Sequence, residues 1–323
     1  MLLISFQLLQ LLPGLCIPGK PWASCFITFQ LIPMLTLLKY VEGRSWKPWT
    51  WHIIRSRVEP NFQRVPCLKS LSLSYISISA LDLSILLSTC PKIEKLELVN
   101  LDIAMSDAQV TVELSSPTLK SIYVEAINLD KFILEADTIE CLHSKDFTLE
   151  LFELIGKGTL KHFKMDAVSV IHLDIGDTVE NLEIVDISNY TIIWPKFYQI
   201  ISRSSKLRRL RLWDVVFDAE DEMADIETIA VCFPQLSNLA LSYDWRDGVF
   251  GLQGSSHLEN VIVLELGWTV INDLFSHWGE GLLKRCPSVR KLVIHGIVSE
   301  TNTDEECQML ANFTSAMIEL MRR

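Results

Sequence analysis

One pattern constrains this chain more than any other. An aliphatic triplet, L-x-x-L-x-L with Ile, Val, Phe or Met allowed, returns ten times. The phrase "CPKIEKLELVN" (Cys90–Asn100) is almost rewritten as "CPSVRKLVIHG" (Cys286–Gly296). In order, the triplets are Leu68, Leu71 and Leu73; Ile93, Leu96 and Leu98; Leu119, Ile122 and Val124; and a degenerate fourth, Ile139 and Leu142 with Ser144. Leu160, Phe163 and Met165 follow, then Val179, Leu182 and Ile184; Leu207, Leu210 and Leu212; Leu236, Leu239 and Leu241; Val261, Leu264 and Leu266; and Val289, Leu292 and Ile294. Successive middle residues stand between 19 (Phe163 to Leu182) and 29 (Leu210 to Leu239) positions apart.

That spacing is the leucine-rich-repeat period. Each phrase predicts a short strand whose fourth and sixth residues face a core while the third, fifth and seventh face outward. No unit can bury its apolar side alone. Stacked neighbours bury it for one another, at about 1.5–3 kcal/mol per fully buried aliphatic side chain. The expected fold is therefore an α/β solenoid with a parallel β-sheet on its concave face, about ten irregular units over residues 58–323.

Unit length predicts how each coil returns. "WPKFYQIISRSS", with Pro195 early and Phe197, Ile200 and Ile201 on one face, and "TVINDLFSHWGEGLLKRC", with Ile271, Leu274, Phe275, Trp278 and Leu282 at helical spacing, predict outer helices. The shorter units between Leu119 and Ile184 cannot hold a full helix. Their "DKFILEAD" and "SVIHLDIGD" read as second strands, so helices are expected toward the ends and mostly β returns in the middle. Position nine of each unit, often an Asn in leucine-rich repeats, is apolar in eight of the ten: Ile76, Leu101, Ile127, Phe147, Val168, Ile187, Val215 and Ile297. The turn is expected to be packed by hydrophobes.

Residues 1–57 are different. Met1–Leu38 carries a single charge, Lys20, yet no basic residue precedes its Leu run, and Pro13 and Gly14 interrupt it. Neither apolar run reaches the roughly 20 residues of a membrane span. "RSWKPWTWHIIRSR" (Arg44–Arg57), with three tryptophans, suits a membrane interface, a cap or a loosely folded leader. A secreted or membrane-attached protein using this segment for targeting is the alternative to an intracellular one.

A formal net charge of −11 and a pI near 5.2 argue against nonspecific binding of nucleic acid or anionic membrane. Eight cysteines show neither a CxxC pair nor zinc-ligand spacing. Cys90, Cys232 and Cys286 fall where one unit hands over to the next and read as reduced, buried hydrophobes, which points to the cytoplasm or nucleus. No nucleophile elbow, phosphate loop, metalloprotease or dinucleotide motif occurs, and no metal or cofactor is expected. The "GKG" at Gly156–Gly158 reads as a turn. The chain reads as non-catalytic.

A solenoid binds through its outward strand positions. These are Lys95 and Glu97, then the candidate partner-binding residues Tyr123, Glu125, His143, Lys145, His162, Lys164, Glu183, Arg209, Arg211 and Trp213. His143, Lys145, His162 and Lys164 would form a basic stripe beside Arg209, Arg211 and Trp213, in residue classes favoured at interaction hot spots. Such a stripe would grip an acidic or phosphorylated segment of a target protein. A solvated face on which large side chains only fill space is the other reading.

From Val58 onward the chain resembles the plant F-box/leucine-rich-repeat proteins. The resemblance rests on "PCLKSLSLSYISISALDLSILLSTCP", "LELFELIGKGTLKHFK", "KLRRLRLWDVVFD", "VLELGWTVINDLF" and "RCPSVRKLVIHG", and spans about four fifths of the sequence. It implies a substrate-recognition subunit of an SCF ubiquitin ligase, in which an N-terminal F-box docks on a Skp1-type adaptor and the repeats hold the target. The F-box itself is not found. "LLPGLC" lacks the acid that follows Leu-Pro in such boxes, and "RSWKPW" is broken by Pro48, so the resemblance covers the repeats and not the adaptor contact.

Overall fold

The repeated phrases stack as strands, and the register between neighbours is the most informative property of the computed structural model. It describes residues 26–30, 55–56, 68–103, 110–192, 194–217, 225–243, 251–252, 254–268 and 273–295, with part of 308–319. The chain divides into two units, residues 1–157 with 170–176, and residues 158–169 with 177–323.

In the first unit β1 (Phe26–Gln30), β2 (Arg55–Ser56), β3 (Ser70–Ser74) and β4 (Ser77–Ile78) lead into α1 (Ala80–Ser88). They are followed by β5 (Lys95–Val99), β6 (Asp102–Ile103), β7 (Thr111–Ser115), β8 (Ser121–Glu125), β9 (Lys131–Glu135) and β10 (Cys141–Ile155). The main sheet runs β1-β3-β5-β8-β10, all parallel, so Ser70, Lys95, Ser121 and Cys141 stand in one row and Leu71, Leu96, Ile122 and Leu142 in the next. β1 comes from within the apolar leader and pairs Phe26 with Ser70. A return sheet, β7-β9-β10, repeats every 20 residues: Thr111 beside Lys131 beside Leu151.

The reason is visible in the side chains. The second and fourth residues of each main strand are buried in alternation, Leu71, Leu73, Leu96, Leu98, Ile122, Val124 and Leu142 each at 2% exposure or less. Thr111–Ser115, Lys131–Glu135 and the end of β10 show the same alternation, so a 20-residue coil closes with two strands and no helix. The 25-residue coil between β3 and β5 returns instead through α1. Ser79 caps α1 by accepting from the Asp82 N–H at 3.0 Å, and Leu83, Leu86 and Leu87 turn inward.

The second unit contains β11 (His162–Asp174, whose last residues fall in the first unit), a 3₁₀ turn at Gly176–Asn181, β12 (Ile184–Ile192) and α2 (Trp194–Ile201). β13 (Arg209–Phe217), α3 (Ile226–Cys232), β14 (Asn238–Tyr243), β15 (Val263–Trp268), α4 (Asp273–Arg285) and β16 (Lys291–His295) complete it. Its sheet is parallel in the order β11-β12-β13-β14-β15-β16. α2 buries Phe197 and Ile201 and leaves Ile200 half-buried; α4 buries Phe275, Trp278 and Leu282, as their spacing predicts, and Leu283 besides. Ile271 and the Leu274 side chain lie outside what is described.

Both Cys-Pro phrases build the same turn. The Cys90 N–H bonds the Leu87 carbonyl and its own carbonyl accepts from Ile93; Cys286 does the same with Leu283 and Val289. The two thiols are 1% and 2% exposed, and burial pushes that of Cys286 up to about 12. Cys232 is only half-buried and contacts the Tyr198 hydroxyl.

Two features depart from the pattern. The sixth triplet is not Val179, Leu182 and Ile184. β12 aligns Val185 with Phe163 and Ile187 with Met165, so the triplet is Leu182, Val185 and Ile187, and Ile184 faces outward beside His162. The apolar run satisfies either frame; stacking on the neighbouring strands selects the one that buries Val185. Position nine of that coil is accordingly Tyr190 rather than Ile187.

The second departure is the residue before position nine. Tyr75, Asn100, Ala126, Asp146, Ala167, Asn189 and Asp214 all have φ between 49° and 57°, one at position eight of each of seven consecutive coils. The first three continue the ladder, the Tyr75 N–H to the Val99 carbonyl, Asn100 to that of Glu125 and Ala126 to that of Lys145, whereas the Asp214 N–H donates to the Ser242 hydroxyl. The left-handed residue turns the chain so that Ile76, Leu101, Ile127, Phe147, Val168 and Val215 drop into the core. An Asn ladder is replaced by a backbone kink and an apolar plug. Ile297 lies outside the described residues.

Candidate interaction surface

On the outward face of the first unit, the ring of Tyr123 meets that of His143 edge-on at 4.7 Å. The Tyr123 hydroxyl donates to Glu125 at 2.5 Å, and the Lys145 ammonium donates to the other Glu125 oxygen at 2.9 Å. These two donors, the tyrosine first, hold the Glu125 carboxyl below its usual range, while Glu125 raises Lys145. Burial, and then the bond to Glu125, pushes Tyr123 up to about 12. Tyr123, Glu125 and Lys145 form one hydrogen-bonded network, in which Lys145 is already neutralised, and His143 joins it through its ring contact with Tyr123.

The second unit carries His162, Lys164, Arg209, Arg211 and Trp213. Lys164, Asp186, Arg211, Ala240 and Glu265 occupy one row, one residue per strand. Asp186 is 6% exposed and stands 3.8 Å from both the Lys164 ammonium and the Arg211 guanidinium. That is ion-pair range and beyond hydrogen-bond range. Among the described residues the buried Oδ1 of Asp186 and Nε of Arg211 have no hydrogen-bond partner. Such a trio adds little to stability once desolvation is counted. It holds Arg211 in place, and the guanidinium lies 5.0 Å from the centre of the Trp213 ring.

Trp213 then extends across the sheet. Its six-membered ring lies over Gly267 of β15, and its edge meets His295 of β16 at 5.1 Å and 89°. His295 in turn approaches Glu265 at 3.7 Å. Arg211, Trp213 and His295 make a half-exposed shelf of guanidinium, indole and imidazole, floored by glycine.

Glu183 does not join this face. With the sixth triplet shifted by three residues, it falls one residue before β12, and the outward acid is Asp186. Asp186, Glu265, Gly267 and His295 were not among the predicted residues; the pattern would have found Asp186 in the correct frame and His295 from the strand "KLVIH". Among the described residues no group of His, Cys, Asp or Glu is placed to hold a metal ion, and no helix is long and apolar enough to cross a membrane.

The stacked phrases, the parallel sheets and the outer helices define the class: a leucine-rich-repeat solenoid of the α/β kind. A family model for the repeats of FBD-associated F-box protein At5g56370 matches residues 15–149. F-box/LRR-repeat protein At1g67190 of Arabidopsis thaliana is 68% identical over 268 residues, 82% of this chain and 64% of that protein. "Putative F-box protein At3g58910" of the same plant is 27% identical over 154 residues, 47% of this chain and 64% of that protein. No solved structure matches. The match thus spans 64% of the length of each relative. In its repeat region the chain is of the plant F-box/LRR family.

Proposed function

We propose that this chain is a protein-interaction module whose outward sheet face holds a target, in the manner of the substrate-recognition part of an SCF-type ubiquitin ligase. One observation carries the reading: the Arg211–Trp213–His295 shelf. A core needs none of these side chains on the solvent side, and a tryptophan braced by a guanidinium over a glycine floor is the kind of rigid anchor on which binding energy concentrates. The F-box in the names of both relatives supports the ubiquitin-ligase setting. The unpaired, buried thiols of Cys90 and Cys286 support a reducing compartment, the cytoplasm or nucleus.

Quantitative affinity capture with the wild-type chain and with Arg211→Glu combined with Trp213→Ala tests the reading. Specific partners are expected to be lost from the double variant while circular dichroism and thermal unfolding stay near wild type. An unchanged partner set at unchanged stability retires the shelf as the binding surface. Binding to a purified Skp1-type adaptor, measured alongside, separates an adaptor-linked receptor from an adaptor-free scaffold.

A further inference from the structure

At the second position of each coil, just before the strand, the first unit alternates in charge: Lys69, Glu94, Lys120 and Glu140, each bonded by backbone to the one before. Glu94 takes both lysines, at 2.9 and 3.0 Å. The second unit begins the same way with Lys161, Glu183 and Arg208, but its next members are Ser237, Ile262 and Arg290. The adjacent row reads Arg209, Asn238, Val263 and Lys291. Among the described residues no carboxylate stands within 4.0 Å of Arg208, Arg209, Arg290 or Lys291. Arg208, Arg290 and Lys291 are exposed, and between the two basic pairs Ile262 is 42% exposed. The charge ladder that is closed in one unit is open in the other.

We infer that the strand-start edge of the second unit, at Arg208–Arg209 and Arg290–Lys291, docks an extended acidic segment of a partner protein, with an apolar residue seated on Ile262. This rests on the reading of the chain as an interaction module. The two pairs are three strands apart, about 14 Å, which four residues of extended peptide span at about 13 Å. The complementary segment therefore carries acids about four residues apart with an aliphatic residue between them. A long polyanion would meet the field of a chain with net charge −11; a short acidic peptide reaches only the basic edge.

The probe is a fluorescein-labelled peptide, Glu-Asp-Ala-Leu-Ala-Glu-Asp, titrated with the full chain by fluorescence anisotropy at low salt. Saturable binding is expected, weakened about tenfold by Arg208→Glu with Arg209→Glu, by Arg290→Glu with Lys291→Glu, or by an all-amide peptide. Should a double reversal not fold, Arg208→Gln and Lys291→Gln singly, both at exposed positions, should each weaken binding a few-fold. Absence of saturable binding, or binding that survives these changes in folded variants, overturns the inference. Tighter binding of an oligo-dT of equal charge overturns it in favour of a nucleic-acid surface. Partners lost with the Arg211 and Trp213 changes but kept with both reversals would sink this edge and leave the interaction module standing.

Discussion

A Cβ built on Gly267 would stand 2.5 Å from the indole carbons of Trp213, closer than such contacts occur, so the indole occupies the space of the missing side chain. The relation runs both ways. Gly267 is buried on the solvent side of its sheet because Trp213 covers it, and Trp213 reaches His295 because nothing rises from residue 267. Gly267→Ala should lift the ring, break the edge contact with His295 and lower stability by about 1–3 kcal/mol, the range for inserting a methyl into a packed site. Urea unfolding reads the cost, and the Trp213 indole N–H resonance, assigned with Trp213→Phe, reads the displacement. A resonance that does not move on Gly267→Ala would show that the shelf has another floor.

Ser144 stands where its neighbour in register is Val124, is 1% exposed, and among the described residues its hydroxyl has no hydrogen bond. Ser144→Ala removes the buried polar atom and should raise stability by about 1 kcal/mol. The denaturation midpoint should rise with no change in its slope.

Ala126 and Ala167 sit at φ 51°. The left-handed region costs an L-residue about 1–2 kcal/mol, whereas glycine adopts it freely at an entropic cost of about 0.5–1 kcal/mol. Ala126→Gly and Ala167→Gly should therefore be neutral or stabilise by up to about 1 kcal/mol. Ala126→Val should destabilise by more than the alanine's own strain. A glycine that destabilises at both positions would contradict the kinked turn.

Glu125 has its folded pKa depressed below 4.5 by Tyr123 and Lys145. A carboxyl of this kind contributes stability above its unfolded pKa and loses it as pH falls through the folded value. The stability difference between wild type and Glu125→Gln should thus be full near neutrality and shrink below about pH 4. Chemical unfolding at pH 7, 5, 4 and 3 measures it; a constant difference would mean that the network does not depend on the charge.

Much of the fold is legible in the sequence. The strand positions of nine triplets, the outer helices at Trp194–Ile201 and Asp273–Arg285, and the β returns at Lys131–Glu135 and in the second half of β11 follow from period and unit length. The candidate site was legible only in part. Tyr123, His143, Lys145, Arg211 and Trp213 were named from alternation alone. The basic stripe was read from the same alternation, but its charge was not legible: Glu125 and Asp186 come from neighbouring coils 20 or more residues away, Glu125 pairing with Lys145 and the one carboxylate of Asp186 shared by Lys164 and Arg211.

What the order of residues determined by itself is the coil, since a triplet with one buried side has a stable partner only in another triplet like it. What the tertiary structure decided is the frame and the charge. In the run from Val179 to Ile187 two frames hide aliphatic side chains equally well, and only the strands on either side discriminate between them. The seven left-handed residues carry tyrosine, asparagine, alanine and aspartate, with no glycine to mark them. Pairing across stacked strands is a property of neighbours in space, and spacing along one chain cannot express which acid a given cation will meet.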